Sequence, residues 1–196
     1  MSRDEQTVKQ LTSDGVEARN AGNFENAEEL LRRALDSAND RQWPDVALNL
    51  ADTIRRDGRV QEAQELLDVA LAKANHAAEE QHEFGLLGAV LHQQARLNLQ
   101  SGQDDAALAC ITQAHNTLQL AHQNGQDADI AAVQLDLASI LALHSSDWLR
   151  WRARLAALRV LVLTDVTAEH RKRALTIVTF AHDPGHPKAA RAFFGE

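Results

Sequence analysis

Histidine and cysteine are the residues of this sequence that could bind a metal or attack a substrate. The chain has nine histidines; His182 and His186 are four residues apart, but Pro184 and Gly185 break the helix that would align them. The other histidines do not cluster with carboxylates, so we predict no metal site. Cys110 has no Lys, Arg or His within a helical turn to stabilise a thiolate, so we interpret it as a small buried apolar residue.

No motif for catalysis or for cofactor binding is present in the sequence. The chain lacks a phosphate-binding glycine loop, a Gly-x-Ser-x-Gly turn and a His-Glu-x-x-His helix. Its carboxylates, such as Glu28 with Glu29 and Glu79 with Glu80, are typical of exposed, solubilising helix faces rather than of a catalytic pair. We therefore expect neither an enzyme nor a bound cofactor.

An aromatic and basic segment near the end of the chain is the most unusual stretch. With helical spacing, Trp148, Trp151, Leu155, Leu158 and Val162 lie on one face. The accompanying arginines are Arg150, Arg152, Arg154 and Arg159. One interpretation is that this face is a second surface that binds a partner protein or a second copy of the chain in a homodimer. Binding of nucleic acid by this surface fits the sequence least well. The alternative, which we favour, packs the Trp face inward and leaves the arginines in water.

Composition and charge exclude several classes of protein. Hydrophobic residues make up 44% of the chain and aromatic residues only 4%, with three prolines, which favours helices over strands. Residues 1–145 carry 11 Lys and Arg against 23 Asp and Glu, which argues against nucleic-acid binding by the whole chain. A single cysteine, a polar start and short apolar runs indicate a cytoplasmic protein without disulfide, signal peptide or membrane span.

The sequence contains an internal repeat. The segment that begins at Gly22 recurs at Gly58, 36 residues later, with Gly, Ala, Glu, Leu-Leu and Ala-Leu in register. A weaker copy begins at Gly102, after a further 44 residues, and a degenerate copy without the glycine lies around Ala138 and Ala157. Each glycine is predicted to end a helix in the left-handed backbone region.

Small residues recur at fixed positions of each copy, where neighbouring helices can approach closely. These positions are Gly15, Ala51 and Ala95 before the turn, then Ala27, Ala63 and Ala107, and finally Ala34, Ala70 and Ala114. The larger residues between them are Leu31, Leu67 and Ile111. Asn23 and Asp104 are predicted to start the second helices of their copies.

This spacing of a small residue, a turn glycine, an Ala and a later Ala resembles the tetratricopeptide repeat (TPR). The resemblance covers about residues 8–77 well and residues 84–160 loosely, without the family's first Trp and closing Pro. The wider spacing of the later copies is similar to the long-helix repeats of kinesin-light-chain-like and bacterial regulator proteins. The resemblance implies an all-α fold, a right-handed superhelical stack of antiparallel helix hairpins with a C-terminal capping helix.

We predict one domain over residues 1–196. Its hairpins are placed at about 5–38, 44–77, 80–124 and 127–164, with a C-terminal cap at 165–196. The predicted helices are 5–21, 24–38, 44–57, 60–77, 80–101, 104–124, 127–144, 147–164 and 167–182, with a short last helix near 187–194.

The resemblance also implies a concave groove lined by the first helix of each hairpin. The groove-facing candidates are Lys9, Thr12, Val16, Arg19, Asn20, Asp45, Asn49, Asp52, Arg55, Arg56, Ala89, His92, Arg96 and Gln100. The forked donors of the four arginines suit carboxylates, so we hypothesise that the groove binds an acidic or C-terminal peptide segment. Alternatively, the arginines are solvated helix ends that the helix dipole favours.

The sequence thus predicts a protein-interaction scaffold whose partner is a protein or peptide. The alternative function is a regulatory or sensor module, in which ligand binding changes the shape of the superhelix or its self-association. Neither partner nor pathway follows from the fold, because the function of a repeat array depends on its binding site.

Overall fold

In the computed structural model of the protein, residues 3–125, 130–143, 147–163 and 166–180 are described. Regular structure within these residues is entirely α-helical, which confirms the all-α fold class. The helices are α1 (Arg3–Asn20), α2 (Phe24–Ser37), α3 (Trp43–Arg56), α4 (Val60–Gln81), α5 (Phe84–Gln100), α6 (Asp104–Gln123), α7 (Ile130–Leu143), α8 (Asp147–Leu161) and α9 (Ala168–Phe180). The short helix predicted near 187–194 lies outside the described residues.

The chain forms two compact units, residues 1–97 and residues 98–196. In the first unit α2 packs on α1 and α3, and α3 packs on α4. In the second unit α7 packs on α6 and α8, and α9 packs on both α7 and α8. Helices that pack mainly on their neighbours along the chain are typical of a repeat array. The organisation of residues 1–196 as a single domain stays a prediction.

Glycine ends the first helix of each glycine-bearing copy. Gly22, Gly58 and Gly102 have φ angles of +80°, +90° and +70°, as predicted, in the region that a residue without Cβ adopts readily. The N–H of the residue after each glycine donates to the carbonyl five residues back, at 2.8 to 3.1 Å, which is a Schellman cap. Asn23 then caps α2 through its side chain, whereas Asp104 is the first residue of α6 and does not cap it.

Helix α4 is longer than the sequence pattern predicts. It continues to Gln81 and ends at His82, whose φ of +58° is in the left-handed region. Ala74 and Ala78 extend the buried face of α4 beyond the repeat motif, so further burial stabilises the added turn. This extension lengthens the second hairpin and contributes to the wider spacing between Gly58 and Gly102. Among the described residues, no helix has the length and apolar character that crossing a membrane requires.

The small residues of the repeat lie where helices meet. Each predicted alanine of the first three copies is at most 1% exposed, and so is each larger residue between them, which confirms the predicted core. Gly15 on α1 is a place where the two helices leave no room for a side chain. A Cβ atom at this position would lie 2.7 Å from Cγ of Leu31 and 3.3 Å from the carbonyl oxygen of Ala27, so glycine is required by the close approach of α1 and α2.

We expect Gly15→Val to lower the free energy of unfolding by about 1–3 kcal/mol, because extra methyl groups in a filled core force neighbouring side chains to move. Urea unfolding followed by circular dichroism measures the change. The matched control is Ser13→Val, which places the same β-branched residue on the exposed face of α1 and should change stability by less than about 0.5 kcal/mol. Equal losses in both variants would contradict the packing explanation.

Candidate functional site

A buried carboxylate on α3 organises the candidate site. Val46, Leu50 and Ile54 are buried in the first unit and fix the rotation of α3 about its axis. With this rotation the side chain of Asp52, two residues after Leu50, is only 4% exposed. A carboxylate that is removed from water to this degree needs charged or hydrogen-bonding partners.

Three arginines provide those partners. Arg55 donates from Nη2 to Oδ1 of Asp52 at 2.7 Å, and Arg56 donates from Nε to Oδ2 at 3.0 Å. Arg19 reaches across from α1 and places Nη1 at 3.1 Å from Oδ2. The same Nη1 lies 3.4 Å from Oδ1 of Asn49, so the Arg19 side chain ties α1 to α3.

A fourth arginine, Arg96 on α5, belongs to the same electrostatic group. Burial has the largest effect on Arg19 and Arg55 and lowers the pKa of both guanidinium groups. Asp52 opposes this change, whereas the positive charge of Arg96 adds to it. Arginine stays charged at neutral pH despite such shifts, so four positive charges surround one carboxylate. We call Arg19, Arg55, Arg56 and Arg96 the arginine cluster.

Asp52 is the negative centre of the arginine cluster. Burial is the largest single influence on this carboxyl group and raises its pKa. The charges of Arg55, Arg56 and Arg96, together with the hydrogen bond from Arg55, outweigh burial, so the pKa of Asp52 lies below its ordinary value. Asp52 is therefore ionised at neutral pH.

Arg19 retains a hydrogen-bond donor that neither Asp52 nor Asn49 accepts. Nε of Arg19 is buried and has no hydrogen-bond partner among the described residues. The side chains of Arg19 and Arg55 are only 10% and 13% exposed. The alternative that the groove arginines are solvated helix ends is therefore wrong for these two residues. Arg56 is 36% exposed and presents the cluster to solvent.

The other predicted groove residues take different roles. Asn49 joins the site as an acceptor for Arg19, while its own amide donates to the backbone of α3. The hydroxyl of Thr12 donates to the carbonyl of Val8 at 2.8 Å. The remaining candidates are Lys9, Asn20, Asp45 and Gln100, which are exposed, and Val16, Ala89 and His92, which are partly buried. Gln100 belongs to the second unit.

The aromatic and basic segment does not pack as we favoured from the sequence. Trp151 is 51% exposed, and the apolar residues that share its face, Leu155, Leu158 and Val162, are exposed as well. The buried residues of α8 are Ala153, Ala157 and Val160. Small alanines allow α8 to approach α7 and α9 closely, so the bulkier face is left outside. Trp148 lies on α8, but its side chain is outside the described residues.

The arginines of α8 divide into two groups. Arg152 and Arg159 are exposed, in agreement with the expectation that they lie in water. Arg154 is partly buried, and its Nε donates to the carbonyl of Val178 on α9 at 3.0 Å. Arg150 is also partly buried. Two of the four arginines are therefore available at the surface beside Trp151.

Two ionic groups were missed by the sequence interpretation. Arg173 of α9 binds Asp136 of α7 and donates to the hydroxyl of Ser139 at 3.1 Å. In the first unit an ion-pair network joins α2 to α4 through Arg32, Glu28, Arg59 and Glu62. Glu28 is thus paired rather than merely solubilising, and only its spacing of four from Arg32 was visible in the sequence.

Cys110 has the character expected of a structural thiol. It is partly buried, and burial raises its pKa, while a hydrogen bond from Nδ2 of Asn98 to its Sγ at 3.5 Å opposes that rise. A raised pKa leaves less thiolate at neutral pH. Within the described residues, no group of three His, Cys or acidic side chains is arranged to hold a metal ion.

Comparisons with known proteins identify the fold. The chain is similar to BtubC from P. vanneervenii, with 20% sequence identity and a TM-score of 0.66 over 98% of this chain and 86% of that one. It is also similar to a Podosopora anserina protein of kinesin-light-chain type with nearly identical TPR-like repeats, with 18% identity and a TM-score of 0.65 over 98% of this chain and 93% of that one. No family model matches the sequence, and no curated protein matches it.

These likenesses define the class of protein: the chain has the fold of a TPR-like α-solenoid. The resemblance to kinesin-light-chain-like repeats, first seen in the glycine and alanine spacing, is confirmed by solved structures that this chain matches over nearly its whole length. At this level of identity the comparison concerns the fold, and the arginine cluster is a feature of this chain's own residues.

We expect Asp52→Asn to destabilise the protein at neutral pH by about 3–5 kcal/mol, because it leaves buried guanidinium groups without a counter-ion. The folded state lowers the pKa of Asp52, so the stabilisation from its charge is fully present above the ordinary value of 3.8 and is lost as the pH falls through the folded-state pKa. The difference in Tm between the natural protein and the variant should therefore be constant from neutral pH to about pH 5 and narrow below it.

Thermal unfolding at a series of pH values, followed by circular dichroism, measures this difference. Asp36→Asn is the control, because Asp36 is exposed on α2 and its replacement should leave Tm nearly unchanged throughout. A Tm difference that persists undiminished at the acid end of the series would show that Asp52 acts through packing rather than through its charge.

Proposed function

We propose that this protein is a non-catalytic scaffold that binds an acidic peptide segment at the arginine cluster of its first unit. The observation that carries the proposal is the concentration of positive charge, since Arg19, Arg55 and Arg56 all bind Asp52 and the charge of Arg96 also acts on it. An anion that reaches this place would relieve the repulsion among the guanidinium groups. The fold supports the proposal, because TPR-like repeat arrays generally hold other proteins.

The chemistry of the guanidinium group selects the kind of ligand. Its planar, forked donors match the two oxygens of a carboxylate and bind them in pairs, which a lysine cannot do. Asp and Glu side chains and a C-terminal carboxylate all present this geometry, so each suits the site. Because Arg19 and Arg55 are largely shielded from water, a carboxylate that contacts them is held more strongly than at an open surface.

Asp52 has two effects on such a ligand. It holds Arg19, Arg55 and Arg56 in place, which reduces the entropy lost when a carboxylate binds them. It also competes for the same donors and lowers the local positive potential. Asp52→Asn removes the competing charge but keeps one oxygen that can accept from the arginines, so in a variant that still folds it should strengthen the binding of an acidic peptide.

We expect Arg56→Glu to weaken the binding of a short fluorescent Glu-rich peptide with a free carboxyl terminus by about tenfold or more, or roughly 1.4 kcal/mol. Arg56 is suited to this test because it is the most exposed of the three arginines that bind Asp52, so its exchange perturbs the core least. Fluorescence anisotropy measures Kd, and binding by the natural protein should weaken with added salt.

Arg33→Glu is the matched control, since Arg33 is exposed on α2, away from the arginine cluster in sequence, and its exchange changes the net charge equally. Equal weakening by both variants would mean that the peptide responds only to total charge. If Asp52→Asn folds, tighter binding of the peptide is expected, and weaker binding would contradict the proposed competition.

A further inference from the structure

The exposed large apolar side chains of the described residues are concentrated on α8 and the two residues that follow it. Of the eight large apolar residues that are exposed among the described residues, five lie between 151 and 163. By contrast, the exposed side chains of α2 are all polar or charged, and α4 and α6 each expose a single large apolar residue, Val69 and Leu120. Among the described residues, α8 therefore exposes more large apolar side chains than any other helix, since α9 exposes only Leu175.

The exposed residues of α8 have the spacing of a coiled-coil seam. Trp151, Leu155 and Leu158 on α8, and Val162 directly after the helix, are separated by four, three and four residues, which places them at successive d, a, d and a positions of a heptad. The opposite side of the same helix is already buried against α7 and α9 in the core of the second unit. One face of α8 is thus committed to the fold, while Trp151, Leu155 and Leu158 on the seam face are 51%, 37% and 44% exposed.

Arginines flank this seam at equivalent positions. Arg152 and Arg159 each follow a d residue directly, so both are at the e position of their heptad, and both are exposed. Neither forms an ion pair with a carboxylate of the described residues. Charges at e and g positions select the partner helix in a coiled coil, because they face the flanking residues of that partner.

We propose that the seam face of α8 binds an amphipathic helix whose a and d positions are apolar and whose flanking positions are Asp or Glu. The apolar side chains of the partner pack between Trp151, Leu155 and Leu158, and its carboxylates pair with Arg152 and Arg159. Residues 146–196 carry 9 Lys and Arg against 5 Asp and Glu, so this charge pattern extends beyond the helix itself. The proposal does not depend on ligand binding at the arginine cluster.

A second copy of the chain is a poor occupant for this face. Two α8 helices in parallel would place Arg154 of one copy against Arg159 of the other, since g and e positions five residues apart face each other. Two antiparallel helices would bring the e-position residues Arg152 and Arg159 together. Like charges at these positions oppose association, so the arginines act against self-pairing while they favour an acidic helix.

A lipid surface also fits the face poorly. Leu155 and Leu158 are 37% and 44% exposed, so neighbouring residues cover more than half of each side chain. An interfacial helix must instead push its apolar side chains into the headgroup region. A single helix avoids this difficulty because it can approach α8 alone.

The test is a reversal of charge specificity. The probe is a fluorescent helical peptide with Leu at a and d and Glu at e and g, and its counterpart carries Lys in place of Glu. The natural protein should bind the Glu peptide, with a blue shift of its tryptophan emission, and should bind the Lys peptide at least about tenfold more weakly. The double variant Arg152→Glu with Arg159→Glu should show the opposite preference, and Leu158→Asp should weaken the binding of both peptides.

Arg33→Glu with Arg41→Glu is the control variant, because it makes the same change in net charge at exposed positions of the first unit. It should keep the preference for the Glu peptide, and so should Arg56→Glu, which separates this face from the arginine cluster. Failure of the full chain to bind the Glu peptide, or binding that Arg152→Glu with Arg159→Glu does not change, would overturn the proposal. A dimer that light scattering detects and that Leu158→Asp dissociates would also overturn the proposal. The same holds if the protein does not bind the Glu peptide but binds phosphatidylserine vesicles, and Leu158→Asp abolishes the vesicle binding.

Discussion

The close approach of helices at small side chains is the constraint on which the rest of the structure depends. Alanine or glycine occupies each of these contact positions, and the larger residue four positions along fills the space beside it. The contact between Gly15 and Leu31 is so tight that even a methyl group at Gly15 would overlap its neighbour. Because the backbones are fixed by such contacts, the polar side chains between them are placed with little freedom.

Buried charge adds specificity to this apolar framework. Asp52 in the first unit and Asp136 in the second each bind an arginine from another helix, Arg19 and Arg173 respectively. Buried ion pairs contribute little net stability compared with apolar packing, but breaking one is strongly destabilising. These pairs therefore act mainly against incorrect packing, since a helix shifted by one turn would leave a charge without its partner.

The sequence predicts the local features of this protein better than the contacts between residues that are far apart along the chain. Helix ends and core positions could be predicted because a turn such as Gly58 and its neighbouring alanines form one contiguous pattern. The arginines of the candidate site were also found, but not the burial of Asp52, because its partner Arg19 is far away along the chain. On α8 the residues of both faces have helical spacing. The small residues face the core and Trp151 faces outward, and a hydrophobicity pattern alone does not reveal which of the two faces is buried.

In the proposed function, the carboxylate of Asp52 among the arginines sets a minimum charge that a ligand must carry to compete for them. A small monovalent anion such as acetate meets guanidinium groups that Asp52 has partly satisfied, so it gains little by entering. A segment with several adjacent acidic residues can engage the outer donors of Arg56 while further carboxylates approach the rest of the arginine cluster. Valence, rather than the presence of a negative charge, would then decide which ligands the protein retains at cellular salt concentrations.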